Sequence, residues 1–124
     1  DKAEITSSPE KGDRGEDITG IRADGYETYF KPEDGHRELS INLTWKEGVK
    51  ATYLVLKENI LLSQRVEKFK VYEDVKGEGL VEVYDGTVIG YKRIVKLSGK
   101  EITGLKIEIM DARVAPAISF VGVY

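Results

Sequence analysis

Short runs of alternating apolar and polar residues, separated by turn-forming residues, dominate this sequence. Residues 38–43 and residues 102–110 each place alternate aliphatic side chains on one face. Alternation with a period of two is typical of a strand with one buried face. Such runs recur about every 10 to 15 residues, and no amphipathic helical period stands out between them. The sequence therefore predicts an all-β fold, a β-sandwich of about eight strands.

The chain is long enough to form one domain with its own core. It has 124 residues, of which 40% are hydrophobic and 33% are charged, as is ordinary for a globular protein. Residues 1–17 are polar and rich in Gly, Ser, Lys and Glu, and we interpret them as an entry segment or interdomain linker with a short strand near residues 5–7. We expect the folded domain to occupy residues 18–124.

Several classes of function are disfavoured by composition. His36 is the only histidine, and the sequence has neither a nucleophile elbow nor a phosphate-binding loop. A catalytic (β/α)₈ barrel needs about 250 residues, which is more than this chain has. The count of 22 acidic residues leaves a catalytic pair of carboxylates open. Because the sequence has no recognisable catalytic constellation, we nevertheless expect no catalytic residues here.

Charge and cysteine content restrict the partners. The net charge is −3, with acidic and basic residues mixed along the chain, which argues against nucleic acid or an anionic membrane as a partner. The sequence has no cysteine, and so neither a disulfide nor a thiolate zinc site is expected. No apolar run approaches the roughly 18 residues of a membrane span.

The stretch Gly86–Arg93 is the most distinctive part of the chain. Two runs rich in β-branched residues meet at Gly90, and glycine suits a tight corner because it tolerates positive φ. We interpret the stretch as one strand, a corner at Gly90 and the next strand. Two companion stretches, residues 58–66 and residues 112–124, flank it along the chain.

In their order and spacing, these three stretches resemble the C-terminal accessory domain of bacterial glycoside hydrolase family 29 α-L-fucosidases. That domain belongs to the galactose-binding-like superfamily, also called discoidin or coagulation factor type C. The resemblance runs from about Asp24 to Tyr124. It implies a jelly-roll topology, a catalytic domain elsewhere in the parent protein, and a secreted, periplasmic or cell-surface location in a bacterium.

The resemblance also suggests where a glycan would bind. In carbohydrate-binding relatives the ligand groove lies among loops at one end of the sandwich. The candidate contacts are His36, Arg37, Trp45, Glu58, Asn59 and Arg65. Alternatives stay open for each: Trp45 could plug one end of the sandwich or pack on a neighbouring domain, and Arg65 could instead pin its own loop through a carboxylate.

We expect no cofactor, and a structural calcium ion is the less favoured alternative. Residues 24–28 resemble the calcium-stabilised loop of discoidin domains, which presents oxygen ligands suited to Ca²⁺. This loop is one residue shorter than usual, and Phe120 stands where a glutamate normally supplies a carboxylate. We therefore expect no metal.

Three functions follow from the resemblance. The chain could support the catalytic barrel of the same protein, or it could be a lectin-like module for galactose- or fucose-containing glycans. As a third alternative, it could act in protein or cell-surface adhesion, as discoidin domains do. We favour a non-catalytic, carbohydrate-associated accessory domain that combines the first two roles.

Overall fold

The computed structural model describes residues 3–9, 12, 18–22, 29–32, 37–58, 65–90, 92–112 and 115–124. Within them the chain forms a short 3₁₀ helix, Ile18–Arg22, and eight strands. The strands are β1 Glu4–Ser8, β2 Leu39–Lys50, β3 Tyr53–Glu58, β4 Val66–Val75, β5 Gly79–Gly86, β6 Arg93–Lys96, β7 Glu101–Ala112 and β8 Ile118–Val123. In these described ranges no helix is long and apolar enough to span a membrane.

The strands form two antiparallel sheets. The larger sheet has the order β1-β2-β7-β4-β5, and the smaller has the order β6-β3-β8. The apolar side chains of both sheets form one buried cluster. This arrangement confirms the predicted all-β sandwich and its eight strands.

The alternation seen in the sequence sets the register of the larger sheet. Ile41 on β2 lies opposite Ile107 on β7, which lies opposite Val71 on β4. All three side chains are fully buried. A shift of one residue along any of these strands would turn its apolar side chains to solvent, and so burial specifies the pairing.

The residues Lys-Glu-Gly at positions 46–48 predict a turn from the sequence alone, but this prediction is wrong, because β2 continues through them to Lys50. The pairing with β7 shifts between Thr44, opposite Gly104, and Val49, opposite Ile102. β7 continues beside β2 and supplies ladder partners on both sides of the irregularity. The surplus residues of β2 are therefore taken up within the strand as a bulge.

The boundary predicted at residue 17 also needs correction. Residues 4–8 form β1, which pairs with β2 and places Ile5 opposite Leu43. Ala3 and Ile5 are buried with the core. This segment therefore belongs to the sandwich, because its apolar side chains complete the edge of the larger sheet.

Candidate functional site

A buried carboxylate organises one end of the sandwich. Glu58 ends β3 and is 1% exposed. Its Oε1 accepts hydrogen bonds from the amides of Arg65, at 2.7 Å, and Val66, at 3.0 Å. Its Oε2 accepts one from the amide of Gly90 at 2.7 Å. A hydrogen bond from a backbone amide to a carboxylate is stronger than one between two neutral groups. These three hydrogen bonds join β3, the start of β4 and the corner at Gly90.

The corner predicted at Gly90 is present. Gly90 has a φ of 67°, in the left-handed region that favours glycine. Its carbonyl accepts a hydrogen bond from the amide of Glu58 at 3.0 Å. β6 begins only at Arg93, whose Nε donates to the carbonyl of Val88 at 3.1 Å. Residues 87–90 therefore form an irregular bend instead of the predicted strand.

Arg65 brings the third motif to the same place. Its side chain is half-buried, and its Nη1 donates to the carbonyl of Ala115 at 2.9 Å. Ala115 lies just before β8. This hydrogen bond to a backbone carbonyl agrees with the hypothesis that Arg65 pins its own loop. The three sequence motifs thus meet at one end of the sandwich.

The residues predicted to contact a glycan differ in their burial and in their position in the structure. Arg37 is exposed and lies two residues before β2, at the same end as Glu58 and Arg65. Glu58 is buried, and its oxygens face backbone amides, so we assign it a structural role in place of the predicted sugar contact. His36 and Asn59 lie outside the described residues.

Trp45 lies away from the end of the sandwich that contains Arg37, Glu58 and Arg65. It is 9% exposed, packs in the core, and lines a groove of about 310 Å³ near Ala51, Val123 and Tyr124. These neighbours lie at the start of β3 and the end of β8, whereas Glu58 lies at the opposite end of β3. β3 is about 17 Å long, at about 3.4 Å per residue. The predicted composite site with Trp45 is therefore wrong, since one sugar cannot contact both ends.

A second buried carboxylate occupies the end near Trp45. Glu73 lies on the core face of β4, opposite Leu105, and is 1% exposed. Its Oε1 accepts from the Ser98 hydroxyl at 2.6 Å, and its Oε2 accepts from the Ser98 amide at 2.9 Å. Sequence reasoning missed the burial of both carboxylates, although Glu73 continues the inward alternation of Phe69 and Val71 and is the polar member of that series.

The calcium hypothesis rests largely on residues that the structure does not describe. Asp24 and Thr28 lie outside the described residues. Phe120, which replaces the expected carboxylate, is 7% exposed, and the Lys57 ammonium lies 5.5 Å from its ring centroid. No group of three or more metal-ligating side chains is found in the described part of the chain. The absence of a cofactor stays a prediction.

The fold is that of a β-sandwich module. At one end it is held together by a clasp, which we define as the Glu58 carboxylate with the amides of Arg65, Val66 and Gly90. No protein-family model matches the chain. Alpha-L-fucosidase 1 of Arabidopsis thaliana is 32% identical over 127 residues, which cover 99% of this chain and 25% of that protein.

Solved structures agree with this similarity. A Ruminococcus gnavus GH29 fucosidase in complex with fucose superposes with a TM-score of 0.85 and 26% identity, over 98% of this chain and 25% of that one. The GH31 CBM32-2 module bound to GalNAc superposes with a TM-score of 0.79 over 100% of this chain and 99% of that one. At 13% identity, this second likeness concerns the fold alone.

The chain spans about a quarter of the length of the fucosidases it matches. The resemblance predicted from the three motifs is therefore confirmed. Nearly the whole chain is similar to a single quarter of these α-L-fucosidases, and it has the fold of a carbohydrate-binding module. As predicted, it corresponds to a part of a glycoside hydrolase and not to the whole catalytic unit.

Proposed function

We propose that this chain is the non-catalytic glycan-binding domain of an α-L-fucosidase. One observation carries the proposal: nearly the whole chain matches a single quarter of known fucosidases. The fold likeness to a module bound to GalNAc supports a binding role for that quarter. The ligand class is a galactose- or fucose-containing glycan, held beside the catalytic domain of the same parent protein.

The clasp at Glu58 supports placing the site at its end of the sandwich. The carboxylate of Glu58 bonds to the amide of Arg65, and so the two residues that flank positions 59–64 are held together. Fixing the ends of a binding segment in advance lowers the ordering entropy that a ligand must overcome. A glycan bound at this end would therefore meet the backbone at Arg65, Val66 and Gly90, whose amides Glu58 already holds.

Basic side chains supply the hydrogen-bond donors at this end. Arg37 is exposed, and Arg65 is half-buried beside Ala115. A guanidinium presents several donors in a fixed plane, which suits neighbouring sugar hydroxyls. Arg37 and Arg65 stay candidate contacts, together with His36 and Asn59.

A titration followed by amide chemical shifts tests the proposal. The isotope-labelled chain would be titrated with galactose, fucose and N-acetylgalactosamine to concentrations well above about 1 mM, where even a weak site saturates. The variant Arg37→Ala would be compared with Lys68→Ala, a matched change of an exposed cation on the outer face of β4.

We expect saturable shifts confined to amides near Arg37, Glu58 and Arg65. Arg37→Ala should weaken binding by about tenfold or more, because a hydrogen bond to a charged donor is worth about 1.5–3 kcal/mol and about 1.4 kcal/mol is tenfold in affinity. Lys68→Ala should leave it unchanged. If no sugar shifts any amide, glycan binding at this end is wrong, and a role that supports the catalytic domain remains.

A further inference from the structure

The outer face of the three-stranded sheet carries a cross-strand row of two tyrosines and a lysine. Tyr53 on β3 lies opposite Lys96 on β6. On its other side, Tyr53 and Tyr124 exchange backbone hydrogen bonds of 2.9 and 2.8 Å. Directly opposed residues of an antiparallel pair point to the same side of the sheet. Leu54, the next residue along β3 after Tyr53, is fully buried, and so the row that contains Tyr53 faces away from the core.

The next row on this face is apolar. Val55 lies opposite Ile94 on β6 and opposite Gly122 on β8. A β-carbon built on Gly122 would lie 2.7 Å from the Phe120 ring and 3.1 Å from the Tyr124 ring. The two rings therefore lie against the glycine backbone and form a continuous aromatic strip along β8.

This face is open to solvent at several of its apolar positions. Tyr53, Ile94 and Tyr124 are 44%, 53% and 65% exposed. They are half of the exposed large hydrophobic side chains found in the described part of the chain. Exposed apolar side chains gathered on one small surface mark an interaction site.

The charged side chains of this face are lysines. Lys57 and Lys96 lie on it by strand alternation, and Lys92 is exposed just before β6. Among the described positions of β3, β6 and β8 that point outward, none has an acidic side chain. On the larger sheet, by contrast, Lys70 lies opposite Glu108 and Asp85, and its ammonium is 3.2 Å from a Glu82 oxygen. A basic face on a chain with a net charge of −3 selects an anionic partner.

Side-chain chemistry argues for an anionic sugar in place of a neutral one. A lysine ammonium carries a full charge and only donates, and so its hydrogen bond to a carboxylate or sulfate is stronger than its hydrogen bond to a neutral sugar hydroxyl. Tyrosine faces suit the apolar C–H surface of a pyranose, and lysines suit carboxylate or sulfate groups.

The size of the face argues for an oligosaccharide in place of a protein. Its three strands and three rows span about 10 Å by about 13 Å between outermost Cα atoms. A stable protein interface needs about 800 Å² from each partner, several times this area.

We propose that this surface, the lysine–tyrosine face formed by Tyr53, Ile94, Lys92, Lys96 and Tyr124, binds an anionic oligosaccharide. The ligand stacks its pyranose rings on the tyrosines and pairs its carboxylates or sulfates with the lysines. The site differs in position and ligand class from the proposed neutral-glycan site near Arg37 and Arg65.

The test uses trigalacturonate, a sulfated trisaccharide and the neutral trisaccharide maltotriose, each titrated into the labelled chain at low salt. We expect both anionic probes to shift amides at Tyr53, Ile94 and Lys96, and maltotriose to bind at least about threefold more weakly. The double variant Lys92→Gln/Lys96→Gln should lose at least about threefold in affinity, since exposed ion pairs are individually weak. Added salt should weaken binding further.

Matched controls separate this face from general basicity. Lys68→Gln and Tyr72→Thr change the same residue types on the outer face of β4 and should leave binding unchanged, whereas Tyr53→Thr should weaken it. Equal binding of maltotriose, no shift with either anionic probe, or stronger binding of hexaglutamate than of trigalacturonate would each overturn the proposal. Galactose and fucose report on amides near Arg37, Glu58 and Arg65, whereas the anionic probes report on amides at Tyr53, Ile94 and Lys96, and so either site can fail while the other stands.

Discussion

Glu58 and Gly90 are joined by a reciprocal pair of hydrogen bonds. The Glu58 carboxylate accepts from the Gly90 amide at 2.7 Å, and the Gly90 carbonyl accepts from the Glu58 amide at 3.0 Å. The two residues are far apart in sequence, and the contact is buried. It holds the corner before β6 against the end of β3, at the end of the sandwich where the three sequence motifs meet.

Replacing Glu58 with alanine should strongly destabilise the chain. The change leaves the amides of Arg65, Val66 and Gly90 buried without their acceptor. Each unsatisfied group costs about 1–3 kcal/mol, and we expect a loss of about 3 kcal/mol or more. Urea unfolding followed by tryptophan fluorescence would measure it.

Glu58→Gln should be milder, because the amide side chain keeps one acceptor oxygen. Glu67→Gln on the exposed side of β4 serves as the control and should change stability by less than about 0.5 kcal/mol. Similar free energies for Glu58→Ala and this control would show that the clasp does not stabilise the fold.

Gly90→Ala should destabilise through backbone conformation. The φ of 67° is unfavourable for any residue with a β-carbon, at a cost of about 1–2 kcal/mol. Gly99, with a φ of 83° in an exposed turn, provides a matched control with the same backbone cost. We expect thermal unfolding to show a greater loss at Gly90, since its strain also displaces the amide that Glu58 binds. A smaller loss there than at Gly99 would contradict this explanation.

Gly122→Ala should destabilise through crowding. The added methyl group would lie 2.7 Å from the Phe120 ring and 3.1 Å from the Tyr124 ring, which is closer than packed carbons allow. Overpacking of this kind costs about 1–3 kcal/mol. In a double-mutant cycle, Phe120→Leu should recover part of the loss, because it removes the closer ring. Purely additive free energies would exclude a clash between these side chains.

Ser98→Ala should destabilise the opposite end of the sandwich. It removes the hydroxyl that lies 2.6 Å from Glu73 and leaves a buried carboxylate oxygen without that donor. We expect a loss of about 1–3 kcal/mol in chemical unfolding. Ser40→Ala on β2 is the control, with an expected change within about 0.5 kcal/mol. Equal effects of the two variants would argue against a role for the Glu73 contact.

The ammonium of Lys70 should titrate at higher pH than an ordinary lysine. Its hydrogen bond and attraction to Glu82 raise the pKa of Lys70 above 10.5. Because the folded pKa is raised, the stabilisation is fully present below the unfolded pKa and is lost as pH rises through the folded value. Nitrogen-detected titration should show the shift, and Glu82→Gln should return the pKa towards its usual value. An unchanged pKa in that variant would contradict the assignment.

The buried rows were predictable because they depend on local alternation. The inward positions of β4 and β7 follow directly from the period of two, and Gly90 was identifiable as a corner from its neighbours. The turn predicted at residues 46–48 failed because the β7 ladder continues beside β2. Pairing with a distant strand overrode the local preference of Gly48.

The site was less predictable than the fold. Glu58 was expected to be a sugar contact, because the ligand groove of carbohydrate-binding relatives lies among loops at this end of the sandwich. Its burial depends on amides at positions 65, 66 and 90, which only the folded chain brings together. Trp45 was grouped with Arg65 because an aromatic ring and a guanidinium can both contact a sugar. In the structure, however, Trp45 lies near the start of β3 and Arg65 near its end.

The sequence by itself determined the sheet-forming segments, their buried faces and the resemblance to a fucosidase domain, because these properties belong to local patterns. The tertiary structure decided which polar side chains meet backbone amides and which meet solvent. It also decided that lysines and tyrosines from three strands share one outer face. The physical reason is that burial and charge neighbourhood are set by strand pairing between residues far apart in the chain.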